Sequence, residues 1–316
     1  MSAIRQYFPN MMQTLHNLGY SLDYLEPNLT ELDLFYDKSY PGQATVTFES
    51  ATDWIYFKKT DSKKQLRKRI LTVKYLSRYL LSIGIDAYIP DIKVKGDFHK
   101  HPQLFNDMQL CRFFAGTDRL KANKRSPNRE YIAPVLFRVI YACGLRNSEA
   151  CTIKKKDIDL KRGIVKVMHS KGDKDRIVFM DKTLTDLCNR FDIVYSSILP
   201  EREYFFQISG KRLYPTKHNI DDWFDLILKK TELDKEFSVK PTVHGMRHLF
   251  AVKSMKKCLE QGEDFGNWIK YLSKYMGHES TEETMYYLHM VEALIPEYQE
   301  KISSITKGIE VAYEEF

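Results

Sequence analysis

Residues 163–180, GIVKVMHSKGDKDRIVFM, break the periodicity that governs the rest of the chain. On both sides of SKGDKD the apolar side chains alternate with polar ones, and the Lys/Gly/Asp turn between them predicts a β-hairpin. Elsewhere the apolar residues recur at helical spacing. Leu29, Leu32 and Tyr36 share a helix face that ends at Pro41-Gly42, and TFESATDWIYFKK follows. Leu66, Ile70, Val73, Leu76, Leu80 and Ile83 form a stripe with Gly84 placed to cap it. Val135, Leu136, Val139 and Ile140 repeat the pattern up to Gly144. Helical patterns resume near Thr183, at NIDDWFDLILKK, and from HGMRHLFAVKSMKKCL through NWIKYLSKYMG to GHESTEETMYYLHMV. The fold class this predicts is mainly α in two domains, the second α+β with a small antiparallel sheet.

The segment IPDIKVKGDFHKHPQ, 89–103, carries Pro90, Gly96 and Pro102 among charges and reads as an interdomain linker. The expected organisation is a helical domain over 1–95, a linker over 96–102, and a second domain over 103–316 with a tail from about 292. A chain of 316 residues suffices for two cores. Its net charge of +7 is unevenly spread. Residues 58–78 hold nine Lys/Arg against the single acid Asp61, whereas the tail has six glutamates and two lysines. Lys63, Lys64, Arg67, Lys68 and Lys74 are candidates for phosphate contact, although a solvated helix face fits the same pattern. In the tail, Ile302, Ile305 and Ile309 suit a helix docking either on a partner or on its own domain.

Several classes are disfavoured. No apolar stretch approaches the roughly 20 residues of a membrane span, and the N-terminus lacks the apolar core of an export signal. Five scattered cysteines without a CxxC fit neither a zinc site nor a disulfide framework, and suit a reducing cytoplasm. There is no acidic cluster suited to a two-metal nuclease and no GxxxxGK[ST] loop, so neither a metal nor a nucleotide cofactor is expected.

Four segments of the second domain carry candidate chemistry. ACGLRNSEA places Arg146 after a glycine break at a helix start, with Glu149 one turn later to orient its guanidinium. HSKGDKDR puts Lys171 at the hairpin tip, and TVHGMRHLFA puts His244 and Arg247 on one helix face. GHESTEETMYYLHMV supplies His278, His289 and two tyrosines, with Ser280 and Glu283 placed as a capping box. Singly, each has an ordinary structural reading as an ion pair, a turn lysine or a packed aromatic. Adjacent helical residues point about 100° apart, so Tyr286 and Tyr287 cannot share one environment. Tyr287 lies with Thr284 and Val291, and Tyr286 with Glu282, Glu283 and Met290.

Taken together, ACGLRNSEA, HGMRHLFA and MGHESTEETMYYLH resemble the three signature boxes of the tyrosine recombinase (phage integrase) family, in the family order. KVMHSKGDKDRIVFM resembles that family's sheet with its catalytic lysine. The first hundred residues, including YLSRYLLSIGI, resemble its helical SAM-like core-binding domain. Met276 stands where the family usually has leucine, and no separate arm-binding domain is expected. The resemblance implies a clamp around double-stranded DNA, with Arg146, Lys171, His244, Arg247 and His278 serving a nucleophile. Tyr287, nine residues after His278 and two before His289, has the spacing of that nucleophile. Glu149 and His289 would support it.

The chemistry suits these residue types. Two arginines can fork onto phosphate oxygens, histidine moves protons near neutrality, and a phenol attacks only with help from cations or a base. Lys171 at a mobile tip is the better candidate to protonate the 5′ leaving oxygen. The implied activity is site-specific strand cleavage and rejoining through a 3′-phosphotyrosyl intermediate and a Holliday junction. It would be carried out without cofactor by a homotetramer on two sites, with C-terminal segments passed between neighbours and an accessory DNA-bending or directionality factor. Integration, excision or transposition of a mobile element is the expected role. Xer-like dimer resolution, type IB topoisomerase-like nicking and resealing, and a catalytically inactive DNA-binding regulator remain open.

Overall fold

The apolar stripes become the buried faces of two separate helical assemblies, one within Met1–Lys100 and the other within His101–Phe316. The structure is a computed structural model, and it describes residues 1–18, 25–58, 60–94, 103–170 and 174–294. The expected linker, 96–102, and the tail from 295 lie outside the described residues.

In the first assembly, a 3₁₀ turn (Ala3–Tyr7) leads into α1 (Phe8–Asn17), followed by α2 (Leu25–Ser39), α3 (Phe48–Tyr56) and α4 (Lys63–Ser82). Thr47 and Ser62 start α3 and α4 by accepting from the backbone N–H of Ser50 and Gln65, which relieves donors that a helix start leaves unpaired. α4 packs against α1, α2 and α3, and it does so through Ile70, Val73, Leu76 and Leu80. The stripe is shorter than its spacing predicts. Ile83 is the C-cap residue, already off helical geometry at φ −103°, ψ 13°, and it is exposed.

The basic run of α4 is also divided. Lys63, Lys64 and Arg67 are exposed and Lys68 and Lys74 half-buried, but Arg69 is fully buried. Its guanidinium donates to Asp61 (2.6 Å), pairs with Glu31 (2.8 Å), and lies over the rings of Trp54 and Phe57. Asp61, the lone acid of that run, thus neutralises a buried cation.

The second assembly begins with α5 (Asp107–Asp118), α6 (Arg129–Cys143) and the short α7 (Asn147–Cys151). The strands β1 (Ile158–Asp159), β2 (Ile164–Ser170) and β3 (Lys174–Phe179) follow, and then α8 (Lys182–Ile198) and α9 (Lys217–Lys230). It closes with α10 (Val243–Gln261), α11 (Phe265–Met276) and α12 (Glu282–Leu294). The sheet is antiparallel in the order β1-β2-β3, with Val165 opposite Val178 and Val167 opposite Arg176. Val165, Val167 and Val178 point into the core, while Ile177 and Phe179 face outward, as the period of two requires.

α6, apolar on most of its circumference, packs against α5, α7, α8, α9 and α10. α10, α11 and α12 enclose a further cluster that includes Met255, Leu272, Met276, Leu288 and Val291. α12 begins one residue later than the Ser280–Glu283 box predicts: the Thr281 carbonyl accepts its first helical bond, and that of Ser280 accepts from the Ser273 hydroxyl instead. Among the described residues no helix is long and apolar enough to cross a membrane.

Candidate active site

The site is assembled where the start of α7, the strand β3, α10 and the α11–α12 junction meet. α6 stops at Gly144, and Arg146 stands at the N-cap of α7. Glu149, at the third helical position, reaches back to accept from the Arg146 backbone N–H (2.8 Å) and from Arg146 Nη1 (2.9 Å). The same carboxylate takes a two-pronged contact from Arg176 on β3, Nη1 to Oε1 at 2.9 Å and Nη2 to Oε2 at 2.7 Å. Arg247, on α10, lies 3.8 Å from it. One buried carboxylate therefore balances three guanidiniums, of which Arg146 is the most exposed.

The guanidiniums also hold the end of α11. Arg176 Nε donates to Tyr275 O (2.8 Å), Arg247 Nη2 to Met276 O (2.6 Å) and Arg146 Nη2 to Gly277 O (2.8 Å). Three consecutive carbonyls that the helix cannot pair internally each receive one arginine, at the end where the helix dipole favours positive charge. Arg247 Nη1 also donates to Gly144 O (2.8 Å), tying the end of α6 to the same cluster. Gly277 turns the chain with φ +67°, and the His278 N–H bonds back to Ser273 O at 3.1 Å.

Beyond that turn His278 leads to α12. Its Nδ1 is 2.6 Å from Thr284 Oγ1, and its ring stacks on Tyr287 with centroids 6.0 Å apart. His248 contacts the same tyrosine ring (5.2 Å between centroids) and meets His244 edge-on at 4.5 Å. Tyr287 is 4% exposed, whereas Tyr286 is half-buried against the α10–α12 cluster.

The charges shape the titration of these groups. Burial lowers the Arg247 pKa to about 10, helped by the neighbouring Arg146 and opposed by Glu149. Burial, then the nearby cations and imidazoles, brings His248 and His278 down to about 3. His244 opens to solvent, yet the atoms packed beside it, then Arg247 and Arg146, hold it below the ordinary histidine range. Burial raises the Tyr287 phenol, against the opposing pull of Arg247 and Arg146. At neutral pH the site is a neutral phenol and neutral imidazoles beside a cationic cluster.

Of the residues singled out in the sequence, Arg146, Glu149, His244, Arg247, His278 and Tyr287 are brought together. Lys171 and the side chain of His289 lie outside the described residues. Lys63, Lys64, Arg67, Lys68 and Lys74 belong to the first assembly. Arg176 and His248 were not singled out. Arg176 ends the HSKGDKDR segment and shares the inward strand face with Val178, which is a signal, but its partners 27 and 99 positions away left its role unmarked. His248 did carry a signal, because it follows His244 by one helical turn within the same quoted segment. Among the described residues no group of three or more His, Cys, Asp or Glu is placed to hold a metal ion.

The model of the phage integrase family matches residues 117–293, more than half of the chain and all of the site just described. The chain belongs to the phage integrase family. The match to this integrase family is accompanied by likeness to tyrosine recombinase XerA of Thermococcus kodakarensis, 31% identical over 173 residues. That alignment covers 55% of this chain and 56% of the relative, so it spans little more than half of that relative's length. Among solved structures, the Tn1549 transposon integrase in complex with transposon right end DNA matches with a TM-score of 0.62 at 17% identity. It covers 91% of this chain and 94% of its own. XerH site-specific recombinase bound to palindromic difH substrate, a post-cleavage complex, matches with a TM-score of 0.57 at 19% identity over 77% of this chain and 66% of its own. These likenesses place the mainly helical, two-domain fold with its small sheet among tyrosine recombinases.

Proposed function

We propose that this family member is a site-specific DNA recombinase in which Tyr287 is the nucleophile. The observation that carries the reading is the placement of a single buried phenol against two neutral imidazoles and the Arg146–Arg247 cluster. The Tyr287 oxygen attacks phosphorus, the bond from phosphorus to the 5′ oxygen breaks, and a 3′-phosphotyrosyl ester forms. The phenolic proton passes to a neutral imidazole beside the ring, His278 or His248, as the bond forms, and the 5′ oxygen takes one up from Lys171. The reverse attack by a 5′ hydroxyl reseals a strand, and the ester conserves the bond energy, so neither ATP nor metal enters. Arg146 and Arg247 each direct donors at the non-bridging oxygens, where charge develops. His244 and His278 contact the same phosphate, and Glu149 orients the arginines. Four subunits on two duplex sites would exchange strands through a Holliday junction, with the basic face of α4 on the DNA backbone.

Mobilisation of a genetic element is the role we assign, in keeping with the transposon integrase named above. Resolution of chromosome or plasmid dimers is the second reading, favoured by the likeness to XerA. Both are tested by incubating the protein with sheared genomic DNA of its own organism, then sequencing the covalently captured fragments. Fragments at an element end support the first reading, and a single chromosomal or plasmid site the second. Tyr287→Phe should abolish capture and Tyr286→Phe should leave it. Capture by Tyr287→Phe would overturn the nucleophile. Relaxation of a plasmid carrying the captured site without recombinants would indicate a topoisomerase-like enzyme, and binding without any adduct an inactive regulator.

A further inference from the structure

The three carbonyls at the end of α11 are held by arginines with different standing. Arg146 and Arg247 are the pair assigned to the phosphate. Arg176 grips both oxygens of Glu149 with its two terminal nitrogens and gives Nε to the carbonyl of Tyr275. We infer that Arg176 is a positioning residue for strand transfer, setting the direction of Arg146 through Glu149 and the placement of His278 and Tyr287 through the end of α11.

Three features support this. First, Glu149 offers two oxygens to several cations, so a ligand that occupies both at once fixes the plane of the carboxylate. Arg176 does so with its guanidinium alone, and Arg146 meets the same two oxygens, Nη1 on Oε1 at 2.9 Å and its backbone N–H on Oε2 at 2.8 Å. A lysine, with one point charge, could not set that plane. Second, Arg176 is nearly buried, at 8% side-chain exposure, so solvent neither screens the contact nor substitutes for it. Third, the junction is built around it. A Cβ on Gly277 would lie 2.9 Å from Arg176 Nη1, so the backbone passes against the guanidinium itself. Arg176 also pairs across the sheet with Val167, which ties β2 to the strand that holds the same carboxylate.

The inference rests on the recombinase reading for its consequence, and two measurements keep the two apart. Without DNA, the ¹⁵N-arginine side-chain spectrum of the protein reports Arg146 and Arg247 directly. Arg176→Gln and Arg176→Lys should both shift and broaden the Arg146 Nε–H signal while the thermal transition shows the domain still folded. An Arg146 signal unmoved in both variants would overturn the inference, whatever the protein does to DNA. With a nicked duplex made from the captured site, adduct formation in a single turnover should slow on the order of 10²-fold in Arg176→Gln. DNA affinity should change by less than about threefold, because the Arg176 guanidinium is turned to the Glu149 carboxylate and the Tyr275 carbonyl. Arg176→Lys should not restore the rate, since it restores charge without the fork. A normal rate in either variant, or a loss of affinity that accounts for the slower rate, would also overturn the inference. Absence of adduct in the unmodified protein would instead sink the recombinase reading and leave the arginine spectrum to decide the positioning role.

Discussion

Replacing Glu149 by Gln removes the negative charge at which Arg146, Arg176 and Arg247 converge, with little change of shape. The side chains of Glu149, Arg176 and Arg247 are 4%, 8% and 1% exposed, so the lost charge is poorly replaced by solvent. Taking one partner from a buried ionic group costs about 3–5 kcal/mol, against about 0–1 for an exposed pair. Arg146, at 20% exposure, shares less of the penalty than the other two. In a unit of this size each kcal/mol lowers Tm by roughly 2–4 °C, so the second assembly should melt roughly 6–20 °C lower. Calorimetry of the whole chain reads this directly. A DNA backbone brings negative charge to the same cations, so saturating duplex should raise Tm more in Glu149→Gln than in the unmodified protein. By the same linkage the variant binds its site more tightly while cleaving it more slowly. A loss below about 1 kcal/mol would refute Glu149 as the charge centre of a desolvated cluster. Equal stabilisation of both proteins by DNA would refute the approach of phosphate to these arginines.

Three further outcomes are expected. His248 and His278, with folded values near 3, stay neutral while the unfolded chain binds protons below about pH 6.5. Their contribution is therefore complete above about pH 6.5 and falls towards pH 3, by up to about 1.4 kcal/mol per pH unit each. Urea unfolding at about pH 7.5 and about pH 5 should show that loss, and His248→Gln should reduce it; an identical loss in the variant would contradict the burial of a neutral imidazole. Gly277→Ala places a side chain at φ +67° and against Arg176, costing roughly 1–2 kcal/mol for the backbone alone, and an unchanged urea midpoint would argue against the turn geometry. Lys64→Glu and Arg67→Glu, both exposed on α4, should leave Tm in place but reduce the dependence of log Kd on log salt by about 1 per lost phosphate contact. An unaltered slope would leave those cations as a solvated face.

What could be read from the sequence is what repeats locally. The hairpin at 164–179 was legible because a period of two stands out against a helical background, and the stripe of α4 because four of its members are buried in one seam. α5 was not. Its Gly116 lies inside the helix, where a Cβ would lie 2.5 Å from Thr231, so the glycine permits close packing against the end of α9, a contact no local pattern records. Charge was misleading in the same way: Arg69 sits in a basic run but is buried against Asp61 and Glu31, contacts that depend on where the chain returns. At the site, the residues that would touch phosphate occur in recognisable segments, because their own helices present them. The groups that aim them are drawn from β3 and from the backbone of α11, and only the folded chain brings these together. That division explains why the reacting set can be named from its segments, whereas Arg176 lies in a quoted segment without its role being legible there. A phosphate-binding arginine is defined by a ligand outside the protein and by its segment, whereas a positioning arginine is defined by distant carbonyls and a carboxylate. The end of α11 makes the point in one place, since its three terminal carbonyls select three arginines whose spacing in the sequence has no common period.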